Sequence, residues 1–200
     1  TDIMHHYDMN VVFIDELLWH LKWTGDMEYI KQVFPTIQRH LVWEKNTFDP
    51  DNDGLYDAYC CIWASDALQY NGGKATHSTA YNYRANKLAA ELARKIGEDP
   101  TPYEKEASLI LSAVNRELWI KEKGWWAEFK DNMGHQMRHE EPALWTFYHS
   151  VDSELHDPFQ AYQASRYIDT QLANIPVVAH NYADTTNYVV ATTNWQPYMW

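Results

Sequence analysis

The sequence predicts an all-α fold of about three helical hairpins, set as part of a barrel with an inner and an outer ring of helices. Three observations predict it. Helix, short turn, helix and long loop follow one another three times, with pairs opening near residues 8, 78 and 140. That spacing, roughly 60–70 residues, is longer than the tetratricopeptide, ankyrin or HEAT periods. The first helix is apolar nearly all round while its partner is amphipathic, which is the contrast expected between an inner and an outer helix. Long loops then gather at one end of the ring, where a pocket forms. Stacking into a solenoid is the structural alternative.

Residues 9–23 form the first helix, apolar on most sides. Thr24-Gly25-Asp26 ends it: Gly25 suits a left-handed C-cap and Asp26 the N-cap of the next helix. Residues 27–46 carry Ile30, Val33, Phe34, Ile37 and Leu41 on one stripe, with Pro35 expected to kink the helix. Asp49-Pro50-Asp51-Asn52-Asp53-Gly54 is turn chemistry, and a long segment without helical period runs on to Asn71-Gly72-Gly73. Loops of this length inside a compact domain are usually functional. Residues 78–96 are helical again and close at Gly97. Asp99-Pro100 opens a helix with Ala107, Ile110, Leu111, Val114 and Leu118 on one face. Residues 119–137 read as irregular, 141–155 and 158–172 as a third helical pair, and 173–193 as another loop.

With 200 residues, 46% of them hydrophobic and 22% charged, the chain is long and apolar enough to form one globular domain with a real core. No apolar run approaches the roughly 18 residues that cross a bilayer, so no membrane partner is expected. The net charge of −12 repels polyanions, and no basic run overrides it, so nucleic acid is excluded as a partner. Cys60 and Cys61 are adjacent, and a bond between neighbours is strained and closes no long loop; they read as free thiols.

Ten Trp and fourteen Tyr are an unusual load, and several fall in predicted loops: Trp63, Tyr70, Trp125, Trp126, Trp195 and Trp200. A flat apolar face with a polar tip suits a sugar ring, whose C–H face stacks and whose hydroxyls hydrogen-bond. Packing between helices is the plainer alternative for any one of them.

Thr24-Gly25-Asp26 and Asp51-Asn52-Asp53-Gly54-Leu55-Tyr56-Asp57 resemble the turns of six-hairpin glycosidases, the superfamily of trehalases, processing α-glucosidases, glucoamylases and bacterial α-L-rhamnosidases. The likeness covers nearly the whole chain and extends to secreted glycosidase-like proteins of gut bacteria. It implies an (α/α)6 toroid, of which three hairpins are about half, and an extracytoplasmic location, periplasmic or secreted. Residues 1–200 are then a single domain, expected to be a piece of a longer catalytic domain. An open half-ring exposes apolar flanks, so the rest of a parent chain, or self-association, is expected to complete it.

The resemblance also implies a carbohydrate substrate and a general acid in the loop after the Asp-Gly-Leu turn. The matching stretch is Cys61-Ile62-Trp63-Ala64-Ser65-Asp66-Ala67-Leu68-Gln69-Tyr70, which makes Asp66 the candidate acid. Trp63 would stack on the sugar, with Tyr70 and His77 lining the same pocket. An acid beside Trp and Ile is partly desolvated, which raises its pKa and keeps its proton available. The plainer reading of Asp66 is a carboxylate capping a turn or helix. The Ser-Gly-x-Asp-x-Ser pattern of trehalases is not reproduced. The second carboxylate of the family comes late. Within this chain Glu128 is the candidate, following Trp125 and Trp126 as sugar-stacking rings, with Glu140, Glu141 and Asp184 behind it. Asn194-Trp195-Gln196-Pro197-Tyr198 resembles the Trp-x-Pro lead-in to an inner helix, with Trp195 toward substrate.

Asp49, Asp51, Asp53 and Gly54 look like the start of a calcium loop, but position 12 holds Cys60 where a bidentate Glu belongs. A turn with Asx-type bonds is the preferred reading. No His-Glu-x-x-His, phosphate loop or Gly-x-Ser-x-Gly elbow occurs, and no metal or cofactor is assigned. A polysaccharide lyase on a related toroid, and a catalytically silent glycan-binding module, are the competing functions. With only 16 basic residues to neutralise a uronate, the lyase is the weaker of the two.

Overall fold

The computed structural model describes residues 7–61, 69–179 and 182–190, with side chains over 10–58 and 73–176 and at 188 and 190. Among the described residues, six helices pair into three hairpins. They are α1 (Tyr7–Thr24) with α2 (Met27–Phe48), α3 (Thr76–Ile96) with α4 (Thr101–Glu117), and α5 (Leu144–Asp152) with α6 (Pro158–Gln171). The short turns follow their local chemistry. Gly25 takes φ +60°, and the Asp26 carboxylate accepts the backbone N–H groups of Glu28 and Tyr29 at 3.1 and 3.0 Å. Gly97 closes α3 at φ +81°. Asp157 opens α6 with a capping box to Gln160.

Helix α3 is the centre of the fold. It packs on α1 along one side and α5 along the other, with α2 and α4 behind it. Helices α1, α3 and α5 are therefore consecutive members of an inner arc, and α2, α4 and α6 are their outer partners. Most of α3 is buried, from Thr76 through Ala93. Its alanines (Ala85, Ala89 and Ala93) let Ile14, Leu18 and Leu21 of α1 and Ile30, Phe34 and Ile37 of α2 close against it. Each such fully buried Leu, Ile or Phe stabilises the fold by about 1.5–3 kcal/mol. Pro35 sits inside α2, which runs unbroken past it to Phe48. Helix α1 differs from its expectation. Val11, Ile14, Leu18 and Leu21 are buried, whereas Phe13 is 69% and Trp23 85% exposed, so one flank of an apolar helix faces outward.

The connecting segments, expected to be irregular, carry strands. Strands β1 (Asp57–Cys61) and β2 (Gln69–Ala75) lie between α2 and α3. Strands β3 (Trp119–Ile120), β4 (Trp125–Trp126), β5 (Phe129–Asp131) and β6 (Arg138–His139) lie between α4 and α5, and β7 (Asn174–Ala179) and β8 (Tyr182–Val190) follow α6. The first two connections join in one antiparallel sheet of order β1-β2-β5-β6, through the pairs Gly73↔Asp131, Lys74↔Lys130 and Ala75↔Phe129. The approach is close enough that a Cβ on Gly73 would lie 2.3 Å from the Lys130 carbonyl oxygen, which only glycine permits. Strands β3 and β4 form one hairpin, β7 and β8 another. Among the described residues no helix is long and apolar enough to cross a membrane.

Candidate active site at the inner-helix rim

The first two long connections each lead from the end of an outer helix to the start of an inner one. The sheet that unites the first two therefore sits at the N-terminal ends of α3 and α5. Strand β2 runs straight into α3 at Thr76. The Thr76 hydroxyl donates to the Ala127 carbonyl at 2.6 Å and its N–H to the Glu128 carbonyl at 3.0 Å, so the start of α3 is stitched to the segment before β5.

Glu128 stitches the start of α5 to the same point. It is buried, and its carboxylate accepts the Ala143 N–H at 2.5 Å and the Trp145 indole N–H at 2.7 Å. One residue thereby holds the first turns of two inner helices, α3 through its backbone and α5 through its side chain. Both carboxylate oxygens are engaged in this structural work. Glu128→Gln presents an amide N–H₂ to one of two donors, and is expected to lower stability by about 1–3 kcal/mol in chemical denaturation. An unchanged midpoint would dismiss the stitch.

Below this point α3 and α5 face each other through matched stripes. His77, Tyr81 and Arg84 lie at i, i+4 and i+7 on α3, and Trp145, His149 and Asp152 at the same intervals on α5. The Tyr81 and His149 rings are 4.6 Å apart. Burial lowers the His77 imidazole to about 4, and lowers His149 further, with His77 and Arg84 adding to the effect. Both imidazoles are therefore neutral near pH 7. Arg84 closes the stripe. It donates to both carboxylate oxygens of Asp15 on α1, at 2.7 and 2.6 Å, and bonds Asp152 on α5, so one guanidinium joins three inner helices.

The aspartate turn is held from within. Asp49 accepts the N–H groups of Asp53 and Gly54, both at 3.0 Å. The Lys45 ammonium lies 2.6 Å from Asp49, and the Lys74 ammonium 2.6 Å from Asp51 and in contact with Asp53. The three carboxylates lie close enough to share a cation; here two ammonium groups meet their charge. Asp57, next along the chain, is a buried carboxyl that sequence reasoning missed. Burial raises its pKa, opposed by the hydrogen bond from Asn132 at 2.8 Å.

The anticipated site residues separate into three groups. His77 and Glu128 come together at the α3–α5 rim. Trp125 and Trp126 are neighbours on β4 but part company. Trp126, expected to stack on substrate, is 1% exposed and packs edge-on against Trp119 at 5.0 Å, so its faces belong to the core. Trp125 is half-buried, its indole N–H bonded to the Glu140 carbonyl at 2.7 Å and its ring 4.3 Å from Tyr167. Glu140 is ion-paired with Lys123 and Arg138, which hold its carboxyl below the usual range, and Glu141 lies 3.8 Å from Lys123. Trp63 and Asp66, in the segment joining β1 to β2, and Trp195 lie outside the described residues. So do the side chains of Tyr70 on β2, Asp184 on β8 and the Cys60–Cys61 pair on β1. Sequence reasoning missed Trp145, Tyr81 and His149; their signal was the i, i+4, i+7 spacing of ring-bearing residues on buried helices.

No protein-family model matches the sequence, and no curated protein matches it either. Solved structures do. A GH78 family rhamnosidase of Bacillus sp. GL1 superposes with TM-score 0.66 at 16% identity, over 80% of this chain and 17% of its own. A rhamnosidase from Klebsiella oxytoca with rhamnose bound gives 0.65 at 19% identity, over 86% of this chain and 32% of its own. A GH63 mannosylglycerate hydrolase from Thermus thermophilus, in complex with glucose, gives 0.68 at 14% identity, over 84% of this chain and 52% of its own. The chain thus spans about half the length of the last and less of the other two. At these identities the likeness is one of fold. Over most of its length this chain shares the fold of part of these α/α toroid structures.

Proposed function

We propose that the chain forms part of a glycoside hydrolase, which cleaves an oligo- or polysaccharide by general acid catalysis with a pair of carboxyl groups. One observation carries the reading: in a glycosidase-like fold, the first two long connections unite in a sheet at the N-terminal ends of the inner helices. The segment that holds Trp63 and Asp66 joins two strands of that sheet, β1 and β2. In this reading Asp66 protonates the leaving oxygen, and Trp63, Tyr70 and Trp195 stack on the sugar. The partner carboxylate activates water or attacks carbon from the other side. Glu128, with both oxygens taken, serves that site by fixing α3 and α5. The base then comes from a carboxylate with an oxygen open to water, on this chain or on hairpins that complete the ring. The exposed Phe13 and Trp23 flank of α1 is the surface such hairpins, or a second copy, would cover. Hydrolysis of this kind needs no cofactor, and the reading places the protein in the periplasm or outside the cell.

The test is release of reducing sugar from a panel of α- and β-glycosides, with the chain expressed together with the hairpins that close its ring. Sugar-specific release is expected. Unsaturated, ultraviolet-absorbing products would make it a lyase, and binding without release would make it a silent glycan-binding module.

A further inference from the structure

We propose a second carbohydrate-binding site in the groove between α6 and the β3–β4 hairpin, apart from the rim. The groove has a volume of about 340 Å³, which suits one or two sugar rings. Both of its walls belong to this chain. Trp125 forms the hairpin wall, and its ring is fixed in advance by the bond to the Glu140 carbonyl, by the Tyr167 ring at 4.3 Å and by the Lys123 ammonium 5.4 Å over the ring. The hairpin closes directly onto the helix: a Cβ on Gly124 would lie 3.0 Å from the Gln163 Cβ. The helix wall offers Phe159 and Tyr162, 65% and 56% exposed, with ring planes inclined by only 27°. Gln163, Arg166 and Thr170 lie along the same wall.

This lining selects its ligand. Among the described residues no carboxylate lines the groove, so a cationic ligand finds no counter-charge; Lys123 lines it as well, its ammonium already met by Glu140 at 2.9 Å. A purely apolar occupant would strip water from an amide, a guanidinium and a hydroxyl without replacing their hydrogen bonds. A neutral saccharide satisfies both kinds of surface, with C–H faces on the exposed Phe159 and Tyr162 rings and hydroxyls on Gln163, Arg166 and Thr170. A fixed indole and short-stemmed aromatic rings also lose little freedom on binding. The site requires no turnover, and it stands whether or not the rim is catalytic.

The chain is titrated with cellotetraose, maltotetraose and xylotetraose, following the Trp125 indole N–H by NMR. At least one tetrasaccharide is expected to bind and shift that resonance. Tyr162→Ala, at an exposed position, is expected to weaken binding roughly tenfold, and the Phe159→Ala/Tyr162→Ala pair to abolish it, with the thermal midpoint retained. Should the pair alter folding, Arg166→Ala provides the same reading through a polar contact. The proposal is overturned if none of the three sugars shifts the Trp125 resonance, or if that shift persists in the double variant.

Discussion

Asp66→Asn is expected to lower kcat/KM for glycoside hydrolysis by about 10²–10⁴-fold, the usual worth of a positioned general acid. The amide keeps the shape and the hydrogen-bonding reach of the acid but has no proton to give. The loss should therefore depend on the leaving group. A nitrophenolate departs with little help and should be nearly spared, whereas a sugar alkoxide needs protonation and should suffer in full. The pH profile gives a second signature. A general acid works only while protonated, so activity falls as pH rises through its pKa, and this alkaline limb should vanish in the variant. Equal turnover of sugar-leaving substrates by the two proteins would remove Asp66 from the mechanism.

Arg84→Met should be the most damaging substitution for the fold itself, at about 3–5 kcal/mol in urea unfolding. The guanidinium binds Asp15 through two donors and reaches Asp152 as well. Without it, Asp15 on α1 is left as a buried charge lacking its cation. Burial already pushes the Asp15 carboxyl up, against the downward pull of Arg84, and removing that pull raises it further. A group whose folded pKa exceeds its unfolded value favours the fold at low pH and loses that advantage as pH rises. The deficit of Arg84→Met should therefore be greatest at neutral pH and narrow on acidification toward the ordinary carboxylate pKa of about 4. Asp15→Leu added to Arg84→Met should recover much of the loss, because an apolar pair replaces the orphaned charge. If the single variant unfolds at the wild-type urea concentration, the three-helix clamp carries no weight.

The hairpins were legible because their information is local. The stripe of Ile30, Phe34, Ile37 and Leu41, the Gly25 and Gly97 caps and the Asp26 side chain all act within a turn or two of their own position. The sheet was not, because its register is set at a distance. Gly73 becomes a strand residue by pairing with Asp131, and nothing within either segment alone announces it. Its glycines and the short β5 and β6 depart from the alternating β-branched pattern that marks a strand. Residues 173–193 were read as a loop, although Val177-Val178 and Tyr188-Val189-Val190 carry that signature and fall in β7 and β8. The aromatic load showed ring-rich loops but not which rings point inward. Trp125 and Trp126 are adjacent, and a strand sends neighbours to opposite faces, so at most one of them was ever available. Glu128 was found as a carboxylate just after two tryptophans. Its actual partners, Ala143 and Trp145, depend on where α5 begins.

Because two separate loops share a single set of backbone hydrogen bonds, neither is an independent module. Swapping the segment between α2 and α3 for that of a relative would strand β5 and β6 without their neighbour, and the reverse exchange would orphan β2. Loop grafting would therefore require moving both inserts together, with the small residue at position 73 retained as their common seam.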